Sequence, residues 1–142
     1  MPQVRDVVHQ CQLFSVEERQ SVAEVARVMA GFHVGAILVL NGEQLAGIFS
    51  ERDLMTRVVL ECRDPERTPV REVMTSEVST IEESATPEDA MEAMRANNCR
   101  HLPVTRDGHV VAFLSMRDLM NYQLALQSEE IHHMRAYISS NA

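Results

Sequence analysis

The stretch GIFSERDLM at residues 47–55 returns as AFLSMRDLM at residues 112–120. Aligning the chain with itself at an offset of 65 extends this match, without a gap, from residue 15 to residue 55. The alignment holds nine identities in 41 positions, whereas average composition would give about two or three by chance. We conclude that the chain is a tandem duplication of one supersecondary unit.

Each unit has the same predicted order of elements: a short strand, a helix, a hairpin of two strands and a second helix. The first helices start at Ser21, with Glu24 completing a capping box, and at Thr86, followed by Pro87. Hairpins are indicated by Asn41-Gly42 and by an Asp-Gly pair at 107–108. The predicted strands lie at 15–16, 36–40 and 44–49 in the first unit, and at 80–81, 101–105 and 109–114 in the second.

The fold class is therefore α/β (α+β), with two repeated units that each pair a small, mostly antiparallel sheet with two helices. We place the first unit at 1–60, a charged and proline-containing linker at 61–69, the second unit at 70–122 and a C-terminal amphipathic helix or tail at 123–142. One unit is too small for a generous core. We expect the two to pack through their sheets with pseudo-twofold symmetry and to share a core.

Composition narrows the possible classes of protein. Hydrophobic residues make up 45% of the 142 residues, which excludes a disordered chain. The formal net charge of −8 argues against nucleic acid as a partner, and no apolar run is long enough to span a membrane. The three cysteines are widely spaced and indicate reduced thiols rather than a disulfide framework. With no signal-peptide core at the start of the sequence, we expect a cytoplasmic protein.

The repeated motif resembles that of a cystathionine β-synthase (CBS) domain pair, the Bateman module, over roughly residues 4–122. The resemblance depends on two copies of apolar-apolar-Ser-x-Arg-Asp after a hairpin, on VREVMT at the start of the second unit and on RHLPV in the first strand of its hairpin. GIFSERD fits the family pattern Gly-apolar-x-Ser/Thr-x-x-Asp, whereas AFLSMRD has Ala112 at the glycine position.

Helix capping alone also explains part of this motif. Ser50 with Asp53, and Ser115 with Asp118, have the spacing of a capping box and would satisfy backbone amides without any ligand. Two features favour a binding site: both copies carry Asp, although capping boxes prefer Glu or Gln, and an arginine recurs where capping requires none.

The resemblance implies a site for an adenosine nucleotide, AMP, ADP or ATP, with NAD or S-adenosylmethionine as alternatives. It assigns the ribose hydroxyls to Asp53 and Asp118. An exposed helix start also favours an anion, and the candidates for phosphate are Ser50, Ser115, Arg52, Arg57, Arg100 and Arg117. For each arginine, a surface ion pair with a glutamate is an equally good interpretation.

The implied adenine pocket lies between the short first strand and the first hairpin strand of each unit. Its residues are Ser15, Val16, Ala36 and Ile37 in the first unit and Thr80, Ile81, His101, Leu102 and Pro103 in the second. Packing is the alternative role for most of these side chains. Pro103 predicts a sheet edge or a bulge, and an open edge would let backbone groups read the base.

The segment SEEIHHMRAYI at 128–138 predicts an amphipathic helix capped by Ser128, with Ile131, Met134 and Ile138 on one face. Such a helix needs a partner surface, and we expect a homodimer. His132 and His133 project about 100° apart on a helix and have no acidic companions. We therefore expect no metal.

No motif for catalysis is present, since the sequence lacks G-x-S-x-G, H-E-x-x-H, a Walker loop and G-x-G-x-x-G. We expect a protein that is not an enzyme. Three hypotheses remain: a sensor of adenine nucleotides that relays occupancy to an unknown effector protein, a ligand-free dimeric scaffold, and an enzyme regulator whose signal comes from its partner.

Overall fold

The computed structural model describes residues 1–8 and 13–140. The first half contains α1 (Val4–Val8), β1 (Ser15–Glu17), α2 (Val22–Phe32), β2 (Ala36–Asn41), β3 (Gln44–Ser50) and α3 (Glu51–Asp53), which widens into a π-helix at Leu54–Val59. A 3₁₀ turn at Val70–Glu72 precedes the second half. There follow β4 (Ile81–Glu82), α4 (Pro87–Ala96), β5 (His101–Arg106), β6 (His109–Ser115) and α5 (Met116–Ser140).

The two three-stranded sheets have the same order and register. The order is β1-β2-β3 in one and β4-β5-β6 in the other, each with one parallel and one antiparallel pairing. Val16 pairs with Val39 and Ile81 with Val104, which reproduces the offset of 65. The repeat predicted from the sequence is thereby confirmed, although Thr80 lies outside β4.

Both predicted hairpins form, with a two-residue turn in each. Asp107 and Gly108 both have positive φ, 51° and 80°, as a type I′ turn requires. In the first hairpin Asn41 pairs with Gln44, so the turn residues are Gly42 and Glu43, one position later than predicted. There only Gly42 has positive φ, as in a type II′ turn.

Each unit has its own core instead of the shared one that we expected. One cluster comprises Val16, Val22, Val25, Met29, Ile37, Val39, Phe49, Val58, Val70 and Val73. The other comprises Val4, Val8, Ile81, Ala90, Met94, Leu102, Val104, Ala112, Leu114 and Leu119. Strands β3 and β6 lie in contact where the units meet.

The two units exchange a segment, which explains how each small core is completed. Helix α1, at the start of the chain, belongs to the core of the second unit, while the 3₁₀ turn after the linker belongs to that of the first. The amide of Val4 donates to Ala85 O at 2.7 Å and that of Val70 donates to Gln20 O at 2.8 Å. Gln20 and Ala85 are 65 positions apart, so the two contacts are equivalent.

The predicted helix caps are only partly correct. Thr86 and Asp89 form a full capping box at α4, with Pro87 in the first turn. At α2, Ser21 Oγ accepts from the backbone amide of Glu24 at 3.2 Å, but the Glu24 carboxylate accepts from the side-chain Nε2 of Gln20 at 3.4 Å. The box predicted there is half formed.

The C-terminal helix differs from the prediction. Helix α5 runs without interruption from Met116 to Ser140, so Ser128 lies inside it and caps nothing. Six of the eight residues at 119–126 are strong helix formers and continue the motif helix. Of the whole helix, only Leu119 is buried.

Candidate functional site

The repeated motif begins α3 in the first unit and α5 in the second, and both copies form capping boxes. The Ser50 amide donates to Asp53 Oδ2 at 3.0 Å, and the Asp53 amide donates to Ser50 Oγ at 3.2 Å. The Ser115 amide donates to Asp118 Oδ2 at 2.9 Å, and the Asp118 amide donates to Ser115 Oγ at 3.0 Å. The capping role anticipated from the sequence is therefore present in both copies.

Beyond this shared geometry, Asp53 has additional partners. The Thr75 hydroxyl donates to Oδ1 at 3.2 Å, and the Ser50 hydroxyl donates to Oδ2 at 3.1 Å. Arg57 Nε lies 3.7 Å from Oδ1. Asp53 is only 7% exposed, so the first copy of the motif is covered and its carboxylate is fully engaged.

The second copy is more open. Asp118 is half-buried, and its Oδ1 accepts no hydrogen bond from the described residues. The Ser115 hydroxyl likewise accepts but does not donate within the described chain. The position equivalent to Arg57 is Tyr122, which cannot form the ion pair. An acceptor oxygen and a hydroxyl donor are thus available side by side at the start of α5.

The four candidate arginines fall into two groups. Arg57 has a structural role, because its Nη1 donates to Met74 O at 2.7 Å in addition to approaching Asp53. Arg52, Arg100 and Arg117 are exposed and form no ion pair with any carboxylate in the described ranges. The alternative of glutamate-paired surface arginines therefore does not apply to these three.

The strands predicted to read a base have unpaired edges close to the motif. Strand β4 pairs only with Val104 and Thr105, and β1 pairs with residues 38–40. The start of β5, at 101–103, and that of β2, at 36–37, are thus left without a neighbour on that side among the described residues. Pro103 lies in β5, the central strand of its sheet. Because β4 is too short to pair with Pro103, this residue has an open edge on that side, as predicted. The register shift in the hairpin lies just after Pro103, between Val104 and Thr105.

Strand pleating divides the predicted base-pocket residues into two sets. Four of them, Val16, Ile37, Ile81 and Leu102, belong to the two cores, so their side chains pack inside a unit and only their backbone groups could meet a ligand. Ala36, His101 and Pro103 alternate with the core residues and lie on the opposite face of each sheet. Ser15 and Thr80 are exposed.

His101 links the two units electrostatically. Burial lowers the pKa of its imidazole below the ordinary value; the carboxylates of Asp118 and Glu51 oppose this shift, while Arg100 reinforces it. Its ring lies 5.1 Å from that of Phe113. Glu51 comes from the first unit, so groups of both units act at one place beside the second motif.

Sequence reasoning missed Glu51, Phe113 and Thr75. Glu51 and Phe113 occupy positions at which the two repeats differ, so the comparison of the repeats did not point to them. Thr75 follows VREVM (70–74), and VRDVV at residues 4–8 resembles it. Comparing those two segments would have indicated a second repeated element.

Gly47 is explained by packing. A Cβ added there would lie 2.6 Å from Thr75 O and 2.8 Å from Met74 Sδ. The glycine of the motif therefore makes room for the exchanged segment that covers β3. Ala112 replaces it in the second unit, where it is buried in the core beside α1.

The residues that the structure describes contain neither a side-chain cluster suited to a metal ion nor a helix suited to a membrane span. Across residues 1–8 and 13–140, no three His, Cys, Asp or Glu side chains are grouped so that they could hold a metal ion. Of the helices described, none has the length and apolar character needed to cross a membrane.

The duplicated geometry agrees with a family model. The model of the CBS domain matches residues 4–60 and again residues 70–125. This chain belongs to the CBS domain family. The second match ends within α5, so the helix extends beyond the part that the family model describes.

Curated relatives also contain CBS domains. YhcV of Bacillus subtilis, a CBS domain-containing protein, is 31% identical over 90% of this chain and 90% of its own length. The mitochondrial CBS domain-containing protein CBSX3 of Arabidopsis thaliana is 34% identical over 83% of this chain. The match spans 60% of CBSX3.

Solved structures share the fold. The crystal structure of the CBS domain NE2398 has a TM-score of 0.83 and 32% identity, and the match covers 87% of this chain and 99% of that one. A CBS domain protein from Pyrobaculum aerophilum, complexed with AMP, has a TM-score of 0.75 and 28% identity over 82% of this chain and 88% of its own. These matches confirm the CBS pair expected from the sequence.

Proposed function

We propose that this CBS pair is a non-catalytic sensor that binds an adenosine nucleotide, AMP, ADP or ATP, beside the start of α5 and relays occupancy to a partner protein. The observation that carries the proposal is the pair of unused groups there, the Ser115 hydroxyl and Asp118 Oδ1. They lie at the start of α5, and Ser115 pairs with His101, the first residue of the strand with the open edge. A ribose and a phosphate need such an acceptor and such a donor.

The choice of adenosine draws on two arguments. A CBS domain protein of the same fold, 28% identical, is complexed with AMP. A carboxylate can accept hydrogen bonds from the two hydroxyls of a ribose, and charge-assisted bonds of this kind contribute about 1.5–3 kcal/mol each. The open backbone at 101–103 supplies donors and acceptors for the edge of a base.

The phosphate would meet the helix start and the nearby arginines. Backbone amides at the beginning of a helix favour an anion. Arg117, and Arg52 from the other unit, have no carboxylate partner in the described chain, and a guanidinium can hold two phosphate oxygens at once. In a protein with a net charge of −8, these cations would offset the repulsion that a phosphate otherwise meets.

The two clefts should differ in affinity. In the second, Asp118 can accept from a ribose without giving up its capping bond. In the first, a ligand has to displace Thr75 or Arg57 from Asp53, which costs free energy. We propose that the second cleft fills first and that the first cleft binds more weakly.

Relay to a partner would follow from the position of the site. The cleft is formed by groups of both units, including Glu51 and His101, so a bound nucleotide changes the contacts between them. A ligand shifts such an equilibrium only by its differential affinity for two states. Hydrogen exchange with and without nucleotide should therefore show altered protection in α3 as well as in α5.

The deciding experiment is thermal unfolding with AMP, ADP, ATP, NAD and S-adenosylmethionine in turn. A ligand at about a hundred times its Kd adds roughly 2.7 kcal/mol, which raises Tm by several degrees. Asp118→Asn should weaken binding about tenfold to a hundredfold. Asp89→Asn is the matched control, because Asp89 closes the same type of capping box at α4, outside the cleft.

The alternatives give different outcomes. A shift with NAD or S-adenosylmethionine alone would change the ligand but keep the site. No shift with any of the five would contradict the sensor and favour the ligand-free scaffold. In such a scaffold, helix capping alone would explain the Ser and the Asp of both motif copies. Equal loss of binding in Asp118→Asn and Asp89→Asn would show that both act through stability.

We also propose a reducing compartment such as the cytoplasm. Cys62 and Cys99 are free thiols, and Cys11 lies outside the described residues. Free thiols persist where glutathione keeps them reduced. Fractionation of cells that produce the full-length protein would test this assignment.

A further inference from the structure

The distal part of α5, residues 123–140, is an exposed helix that makes no contribution to either core. It lies almost entirely beyond residue 125, where the family match ends. At about 1.5 Å per residue, these 18 positions extend roughly 27 Å. Most of the stability of a helix in a protein comes from the packing of its apolar face.

An apolar seam runs along this helix at heptad spacing. Leu124, Ile131 and Ile138 are separated by seven residues, and Met134 and Gln127 lie between them at the alternate spacing of three and four. The four apolar side chains are 50–64% exposed. Leu124, Ile131 and Ile138 thus occupy a positions of a coiled coil, and Gln127 and Met134 occupy d positions.

The flanking charges are arranged for a second copy of the same helix. In this register Glu130 is at g and Arg135 is at e, five residues later. Residue g of one helix faces the following e residue of the other in a parallel pair, so Glu130 of each copy meets Arg135 of its partner. Within one chain, neither residue forms an ion pair with any described residue, although both are exposed.

The antiparallel arrangement lacks this complementarity. In an antiparallel pair, g positions face g positions and e positions face e positions. Glu130 would then lie opposite Tyr137 or another Glu130, and Arg135 would face no carboxylate. Isoleucine at two of the three a positions, with no β-branched residue at d, is the pattern compatible with two strands. Gln127 is the one polar residue of the seam. It faces Gln127 of the other helix only when the two helices are parallel and in register.

We infer that residues 123–140 pair with the same segment of a second copy as a parallel, two-stranded coiled coil. The partner is another molecule of this protein, held by the seam and by two symmetric Glu130–Arg135 ion pairs. This surface is separate from the nucleotide cleft, and the inference holds whether or not a nucleotide binds.

Disulfide trapping tests both partner and direction. In a full-length chain with its native cysteines replaced by serine, Gln127→Cys should give a disulfide-linked dimer under mild oxidation, since d residues of a parallel pair face each other. Glu129→Cys, at the outward f position, is the matched control and should stay monomeric on a non-reducing gel. Equal cross-linking of the two variants, or none in either, would overturn the parallel pair.

Substitutions in the seam and at its flanks complete the test. Ile131→Asn should reduce the Gln127→Cys cross-link at least tenfold, whereas Ala136→Asn, with the same new side chain at f, should preserve it. Glu130→Lys should weaken trapping, and adding Arg135→Glu should restore it. Circular dichroism would check that each variant stays helical.

Light scattering provides an independent check. The cysteine-free full-length protein should have the mass of a dimer at micromolar concentration. A monomer mass together with an intact helix would contradict the inference and would leave the seam to a helix of a different protein.

Discussion

The hydroxyl of Thr75 donates a hydrogen bond of 3.2 Å to Oδ1 of Asp53, and thereby joins the segment after the linker to the motif of the first unit. The backbone of Thr75 also pairs with Ile48, with N···O distances of 2.8 and 2.9 Å in the two directions. Asp53 is therefore part of the contact that holds this segment on β3. Nothing equivalent engages Oδ1 of Asp118 within the described residues.

Thr75→Val should free Asp53 from its contact with Thr75 and leave it available to a nucleotide. Loss of the hydroxyl should lower the free energy of unfolding by about 1 kcal/mol, and removal of a competitor should strengthen nucleotide binding in the first cleft. Isothermal titration should then move from about one towards about two nucleotides per chain at a fixed concentration range. Thr56→Val is the control, since Thr56 donates to Arg52 O instead. Unchanged stoichiometry would mean that Thr75 does not limit the first cleft.

Gly47→Ala should destabilise the protein. Its new methyl would meet the backbone oxygen of Thr75 at 2.6 Å, and overpacking of this kind costs about 1–3 kcal/mol. Gly31→Ala, in α2 and with no atom within 4 Å of the added Cβ, should be neutral or stabilising by up to about 1 kcal/mol. Chemical denaturation measures both, and equal stability of the two variants would contradict the close packing of Gly47 against Thr75.

Val4→Ala should weaken the second unit although Val4 is near the start of the chain. Val4 is 0% exposed, and truncation of a buried aliphatic side chain costs about 1–3 kcal/mol. Hydrogen exchange should show the loss of protection mainly in β5 and β6. Val59→Ala, at a site that is 64% exposed, should be near neutral. Protection lost equally from both sheets would argue against a core specific to the second unit.

His101→Gln should flatten the dependence of stability on pH below neutrality. Burial holds the pKa of His101 below its ordinary value of about 6.5, so the unfolded chain binds the proton more readily. Stability from this group is complete above the unfolded pKa and is lost as the pH falls through the folded pKa. Denaturation between pH 7.5 and about pH 5 should show a smaller decline in the variant than in the wild type. His109→Gln, at the exposed end of the hairpin, is the control for loss of an imidazole that is not buried.

Much of the fold follows from local patterns in the sequence. The offset of 65 correctly relates β1 to β4, β2 to β5 and β3 to β6, because repeated residues such as Val39 and Val104 occupy equivalent core positions. Pro87 after Thr86 correctly predicts the start of α4, since capping depends only on neighbouring residues.

The remainder depends on long-range contacts. Alternation along β2 separates Ala36 from Ile37, but only packing decides that Ile37 belongs to the core and is removed from the proposed pocket. Ser128 is a residue type that favours an N-cap, yet the residues before it are helical and the helix continues through Ser128 without a new start. The covering of Asp53 by Thr75 joins residues 22 positions apart and leaves no local pattern.

The exchanged segments also set the order in which the protein can fold during synthesis. The core of the first unit lacks Val70 and Val73 until the ribosome has made the start of the second repeat. The second unit, in turn, has to recruit α1, which precedes both repeats in the sequence. Contacts between residues so far apart in sequence slow folding, and a nascent chain that stops at residue 60 would present an unfinished apolar surface of the kind that chaperones recognise. Each core is therefore completed by a segment from outside its own repeat, and the second core can close only after both repeats have been made.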